Sequence, residues 1–166
     1  MKRKQPPTTA MGPHCGCDGS RRAVLRWFAG LAAAVPGWTG SASAQQAEIV
    51  QPRQPGPAGF VERAFEMRRV SIARGDQAYG AVVVKDGRIV GEGISAVLTS
   101  RDPTAHAERQ AMRDAMRRLG TPDLAGSELY GTSRACPMCE AAAFQARISR
   151  MYYGVAAIDA GVPALR

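Results

Sequence analysis

The sequence predicts a three-layer α/β/α sandwich on a mixed central sheet, and three observations carry that expectation. Segments of helical and strand periodicity follow one another in the order α-β-β-α-β-α-β between residues 60 and 157, a pattern that folds as a sheet covered by helices. The first two strands are separated by Asp86-Gly87 alone, the signal of a two-residue hairpin. Hydrophobic residues make up 45% of the 166-residue chain, enough for a packed core and against wholesale disorder.

Each element has its own justification. Phe60, Ala64, Met67 and Ser71 recur at helical spacing, with Val61, Phe65 and Ile72 in a neighbouring stripe, so 60–74 reads as a helix that Gly75-Asp76 ends. Tyr79 and the run Ala81-Val82-Val83-Val84 make 78–85 a strand, and 88–95 returns around Ile89 and Val90. After a loop ending in Asp102-Pro103, Thr104 caps a helix to Leu119, with Gly120 as its stop. Glu108, Met112, Ala115, Met116 and Leu119 share its inward side. A short strand over 128–132, a helix over 137–149 opened by Pro137, and a strand over 151–157 complete the series.

The net charge of +8 is unevenly spread. Residues 1–44 hold six Lys/Arg against one acid, and the remainder holds 16 basic and 13 acidic residues. A net +3 over that remainder is ordinary for a soluble domain and gives no reason to expect a nucleic-acid partner. The basic excess sits in an address-like segment. Arg21-Arg22 precede an apolar run from Trp27 to Val35, and Ala42-Ser43-Ala44 then supplies a small-x-small cleavage pattern. The run falls short of the about 20 apolar residues a membrane span needs, and the paired arginines resemble a twin-arginine export signal. Residues 1–44 are therefore read as an export signal that leaves no membrane span after cleavage, with a retained anchor helix as the alternative. Residues 45–58, with three prolines between 52 and 57, read as an extended linker, and 59–166 as the functional domain in a periplasmic or secreted protein.

Chemistry concentrates in a split motif, His106-Ala107-Glu108 and Cys136-Pro137-Met138-Cys139. One imidazole and two thiols are a donor set for zinc that leaves the fourth position to water, whose pKa zinc lowers to about 7. Both halves sit at expected helix starts, whose partial positive charge favours thiolate. Glu108, two residues beyond the histidine, is then free for general acid–base work. His-x-Glu followed by Cys-x-x-Cys is close to the zinc nucleobase deaminase signature, with Ala135 in place of the proline before the first cysteine. In an oxidising compartment the two cysteines alone also suit a thiol–disulfide pair.

With these residues in view, 79–108 (YGAVVVKDGRIVGEGISAVLTSRDPTAHAE), together with the Cys-Pro-Met-Cys run and Tyr152-Tyr153, resembles the cytidine/deoxycytidylate deaminase superfamily, nearest its guanine deaminase and tRNA adenosine deaminase branches. The resemblance implies a cytidine-deaminase-like fold, zinc held by His106, Cys136 and Cys139, Glu108 as proton shuttle, and a homodimer. It implies a nucleobase or nucleoside substrate, with guanine to xanthine as the single best choice, and cytosine- or adenine-type substrates or a catalytically impaired zinc protein as alternatives. It places Tyr79 as a ring that packs on the base, the Ala107 N–H against a substrate carbonyl, and Asp159 as a purine-selecting acid. Ser95 stands where these branches usually carry a base-binding asparagine. Arg134-Ala135 replace the usual Glu-Pro, and only 13 residues follow Tyr153. The expected export signal has a direct check. In a bacterium with an active twin-arginine system, mass spectrometry finds the mature protein beginning at Gln45; an intact Met1 overturns the reading.

Overall fold

The computed structural model describes residues 47–165, so the expected export signal over 1–44 lies outside the described residues. Among the described residues nine elements follow in order: α1 (Pro57–Ala73), β1 (Gly80–Lys85), β2 (Arg88–Ile94), α2 (Val97–Ser100), α3 (Ala107–Leu119), β3 (Ser127–Gly131), α4 (Pro137–Gln145), β4 (Arg150–Tyr153) and β5 (Ile158–Gly161). The five strands form one mixed sheet in the order β2-β1-β3-β4-β5. Only the β3–β4 pair is parallel, and that pair needs the crossover that α4 supplies. Among the described residues no helix is long and apolar enough to cross a membrane.

Strand alternation sorts the core into two layers. On one face Val82, Val84, Ile89 and Tyr130 meet Phe60, Val61 and Ala64 of α1. On the other, Ala81, Val83, Leu129 and Met151 meet Ala107, Ala111, Met112 and Ala115 of α3 and Ala143 of α4. This is the three-layer α/β/α sandwich the sequence predicts. The hairpin turn is of the mirror-image kind, with Asp86 at φ 51° and Gly87 at φ 72°. The register shifts by one residue where Val83 faces Gly91 and Val84 faces Ile89. Val90 is thus the extra residue of a bulge, which turns Ile89 to one face and Gly91 to the other.

The glycines at 91 and 93 determine how α3 lies. A Cβ on Gly93 would fall 2.1 Å from the Ala107 carbonyl oxygen and 2.3 Å from the Ala111 nitrogen. One on Gly91 would fall 2.5 Å from both the Ala111 oxygen and the Ala115 nitrogen. The helix backbone therefore rests directly on the β2 backbone. Asp114, buried on the same helix, accepts from the Glu92 N–H at 3.0 Å and from Arg117 and Arg118.

Several expectations change. Thr104 is not the cap of α3: its N–H donates to Asp102 Oδ1 in a tight turn, and His106 takes the cap position. Leu119 is 38% exposed rather than inward. The loop after β2 contains the single turn α2, α4 ends at Gln145 rather than Ser149, and the last expected strand divides into β4 and β5. The stretch read as a linker carries no strand, but it is packed on the domain, and α1 begins inside it at Pro57. Ile49 is buried against the α1 layer, and the Gln51 carboxamide exchanges two hydrogen bonds with the Ile89 backbone, at 2.9 and 2.8 Å.

The α3–β2 contact yields a stability prediction. Gly93→Ala forces a methyl group into helix backbone, and overpacking of this kind costs about 1–3 kcal/mol. A lowered melting temperature with reduced metal content is expected, and unchanged values for both would show that the helix can lift without consequence.

Candidate active site

Two helices deliver the motif in the same way. His106 caps α3 in an extended conformation (φ −68°, ψ 152°), and Cys136 caps α4 in nearly the same one (φ −72°, ψ 165°). Each accepts the first helical hydrogen bond on its own carbonyl, from Gln110 and Glu140. Side chains at both caps project from the helix ends, and Cys139, one turn into α4, joins them. His106 Nδ1 lies 3.5 Å from Cys136 Sγ and 3.5 Å from Cys139 Sγ, and all three donor atoms fall within 4.8 Å of one another.

These distances suit a four-coordinate metal. Donors about 2.0–2.3 Å from a tetrahedral zinc stand roughly 3.5 Å apart. The chemistry of the cluster also calls for a cation. Cys139 is completely buried, with Glu108 Oε2 3.6 Å from its sulfur. Burial, followed by the Glu108 and Cys136 charges, pushes its thiol well above the ordinary range. That direction is opposite to what a helix start alone predicts. A bound dication is the group that reverses it, since coordination deprotonates a thiol outright.

Glu108, 7% exposed, stands in the first turn of α3. Burial raises its pKa, and its own backbone N–H, the Cys139 thiol and His106 offset this only in part. A carboxyl held closer to neutrality in a half-enclosed site is suited to proton transfer. It borders a cavity of about 410 Å³ lined by Gln77, Tyr79, His106, Ala107, Glu108, Ser133, Arg134 and Cys136. Pockets of roughly 300–1,000 Å³ are the usual size for small-molecule sites.

The structure thus brings His106, Cys136, Cys139, Glu108, Ala107 and Tyr79 together. It does not bring Ser95 or Asp159 to the cavity wall. Ser95 is 1% exposed, and its hydroxyl donates to Asp76 Oδ1 at 2.8 Å. Asp159 is on β5, where it accepts two hydrogen bonds from Arg150 and one from the Gly161 N–H. Sequence reasoning missed Gln77, and it missed Asp76, which it took only as part of a helix stop. The Asp76 carboxylate accepts from Ser95 and the Gln77 N–H on one oxygen, and from the Leu98 N–H, the Thr99 N–H and the Thr99 hydroxyl on the other. It ties the segment after α1 to the end of β2 and to α2. An acid directly after Gly75 is the one signal in the sequence, and it is faint.

Comparison with known proteins decides the family. Residues 58–155 match the cytidine and deoxycytidylate deaminase zinc-binding region. The chain belongs to that family. His106, Cys136 and Cys139, a donor group able to hold a metal ion, all lie within that zinc-binding region. Guanine deaminase of Bacillus subtilis (strain 168) is 41% identical over 102 residues, covering 61% of this chain and 65% of the relative. The tRNA-specific adenosine deaminase of Aquifex aeolicus (strain VF5) is 37% identical over 94 residues, 57% of this chain and 62% of the relative. The chain therefore spans just under two thirds of these relatives' length. The X-ray structure of the Bacillus subtilis guanine deaminase superposes with a TM-score of 0.55 at 42% identity, over 57% of this chain and 61% of that one. A structure from work on A-to-I editing by tRNA:A34 deaminases gives 0.56 at 41%, over 57% and 69%. The mixed five-stranded sheet with its helices matches the fold of these neighbours.

The Asp76 cluster generates a pH prediction. Burial works against its charge, but the hydrogen bonds from Thr99, Gln77 and Ser95 hold its carboxyl far below the ordinary 3.8. A depressed folded-state pKa adds stability that is present above 3.8 and is lost as pH falls below it, because the unfolded chain then binds the proton more readily. Asp76→Asn is expected to lower the melting temperature at pH 7, with the gap from wild type narrowing steadily as pH falls below 3.8. A gap that is constant with pH would refute this.

Proposed function

We propose that this chain is a zinc-dependent hydrolytic deaminase of a nucleobase or nucleoside, with guanine, converted to xanthine with release of ammonia, as the best single substrate. One observation carries the reading: the His106, Cys136 and Cys139 donors cluster beside the Glu108 carboxyl, and His106, Cys136, Glu108 and Tyr79 line one cavity. The likeness to a guanine deaminase at 41% identity supports the choice of base, and the tRNA-specific adenosine deaminases keep adenine-type rings among the substrates to test.

When bound, zinc supplies the Lewis acidity that turns water into a nucleophile near neutral pH. The remaining work falls to the protein. Tyr79, 44% exposed at the cavity wall, offers a flat face on which a ring stacks. Ala107 is the first residue of α3, so its N–H has no partner within the helix and is directed to a substrate carbonyl. Glu108 takes the proton of the attacking water and passes it to the ring nitrogen. A C–O bond forms at the amino-bearing carbon, the C–N bond then breaks, and Glu108 delivers the second proton to the departing amine. Burial, which raises the Glu108 pKa, suits it to both directions of transfer. The burial of this carboxyl beside Cys139 keeps bulk water from intercepting those protons.

The same reading makes the protein a homodimer, in keeping with the family resemblance. It also makes the protein an exported one, in keeping with the arginine pair and Ala42-Ser43-Ala44.

The test is zinc content together with ammonia release from guanine, adenine, cytosine and their nucleosides. Wild-type protein is expected to hold one zinc and to turn over at least one of them. Glu108→Ala keeps the zinc and loses roughly 10²-fold or more in rate, whereas Cys139→Ser loses both. A zinc-loaded protein inert on every compound would end the deaminase reading. Equal zinc loss in Glu108→Ala would make that residue a ligand instead.

A further inference from the structure

The cavity that holds the zinc donors must also recognise the ring it acts on, and few of its lining groups are free to do so. His106 and Cys136 are committed to metal and Glu108 to proton transfer. Arg134 offers only donors, and Ser133 a single hydroxyl. A nucleobase presents donors and acceptors side by side in the plane of its ring. The side chain that answers two such neighbours at once is a carboxamide, which carries one acceptor and two donors in a plane. The cavity lining contains one, Gln77.

Gln77 has a fixed root and a free head. Its N–H donates to Asp76 Oδ1 at 2.8 Å, and its carbonyl accepts from the Ser71 hydroxyl at 2.6 Å and from the Tyr79 N–H at 2.8 Å. Its carboxamide makes no hydrogen bond among the described residues, although the residue is half-buried at the wall. Ser95 has no hydroxyl to spare, because it is 1% exposed and donates to the same Asp76 oxygen. Asp76 therefore withdraws one polar side chain from the cavity and anchors the backbone of another beside the stacking face of Tyr79.

Resting on the deaminase reading above, we infer that Gln77 is the residue that reads the hydrogen-bonding edge of the base, and that Asp76 is the positioning residue behind it. Edge recognition in this chain comes from the segment that enters β1, next to the stacking ring, rather than from the end of β2.

The test uses the zinc-loaded full chain with guanine, adenine and unsubstituted purine. Turnover gives KM and kcat, and titration calorimetry gives binding. Gln77→Leu is expected to raise KM and weaken binding of the preferred amino-bearing base by roughly tenfold or more, as a lost pair of hydrogen bonds requires. Zinc content, kcat and the affinity for unsubstituted purine, which has no exocyclic groups, stay near wild type. Gln77→Glu keeps the shape and removes the donors, so it is expected to reorder the preference between guanine and adenine. A general structural defect would weaken all three ligands together. Uniform weakening, or a Gln77→Leu variant within twofold of wild type on its preferred base, overturns the inference while leaving the deaminase activity standing. Binding without ammonia release, still sensitive to Gln77→Leu, supports the inference and sinks the turnover claim. A wild-type protein that binds none of the three sinks both.

Discussion

The site depends on backbone resting on backbone. Gly91 and Gly93 remove the two side chains that would otherwise hold α3 away from β2, and the first residues of the helix sit directly above Gly93. That contact fixes the height and direction of the helix start, and with it His106 and Glu108. The second half of the site is fixed by topology. Because β3 and β4 are parallel, the chain must cross over between them, and α4 carries Cys136 and Cys139 at the start of that crossover. Two unrelated constraints, one steric and one topological, thus bring three donor atoms to one point. Ala143 of α4 and Ala111 and Met112 of α3 share the intervening core.

Burial then decides what that point can hold. A thiol with no solvent contact and a carboxyl with little are both poor places for negative charge in an empty site. A divalent cation makes the same burial favourable, because the charges that repel one another now share a positive neighbour. The cavity beside these donors is also lined by Gln77 and Tyr79, the segment whose backbone Asp76 anchors.

Much of this is legible in the sequence, and for definite reasons. His106, Glu108, Cys136 and Cys139 lie at helix starts, and helix starts are announced locally by proline, by spacing and by the apolar period that follows. The hairpin at Asp86-Gly87 and the crossing order of the elements are local in the same sense. What escaped detection was tertiary. Asp76 looks like a helix stop until the start of α2 folds over it. Gln77 looks like a solvated turn residue until the wall forms. Thr104 has the composition of a cap, but the Asp102 side chain takes its N–H first. β5 carries Asp159-Ala160-Gly161, which has no alternating apolar signal, and it exists because β4 offers it an edge. Ser95 and Asp159 were placed by likeness to relatives, and likeness cannot report which way a side chain turns.

The carboxamide of Gln51 has a consequence beyond its own contacts. By bonding to both the N–H and the C=O of Ile89, it imitates a neighbouring strand on the outer side of β2. With Asp114 occupying the Glu92 N–H, that margin of the sheet is sealed by side chains rather than by another strand. A shortened protein starting at Pro57 would retain every described helix and strand and still lose the Gln51 part of this seal, leaving the Ile89 end of the β2 margin open to pairing between molecules. The folded unit is therefore longer than its secondary structure suggests: the proline-rich stretch ahead of α1 covers part of a sheet edge.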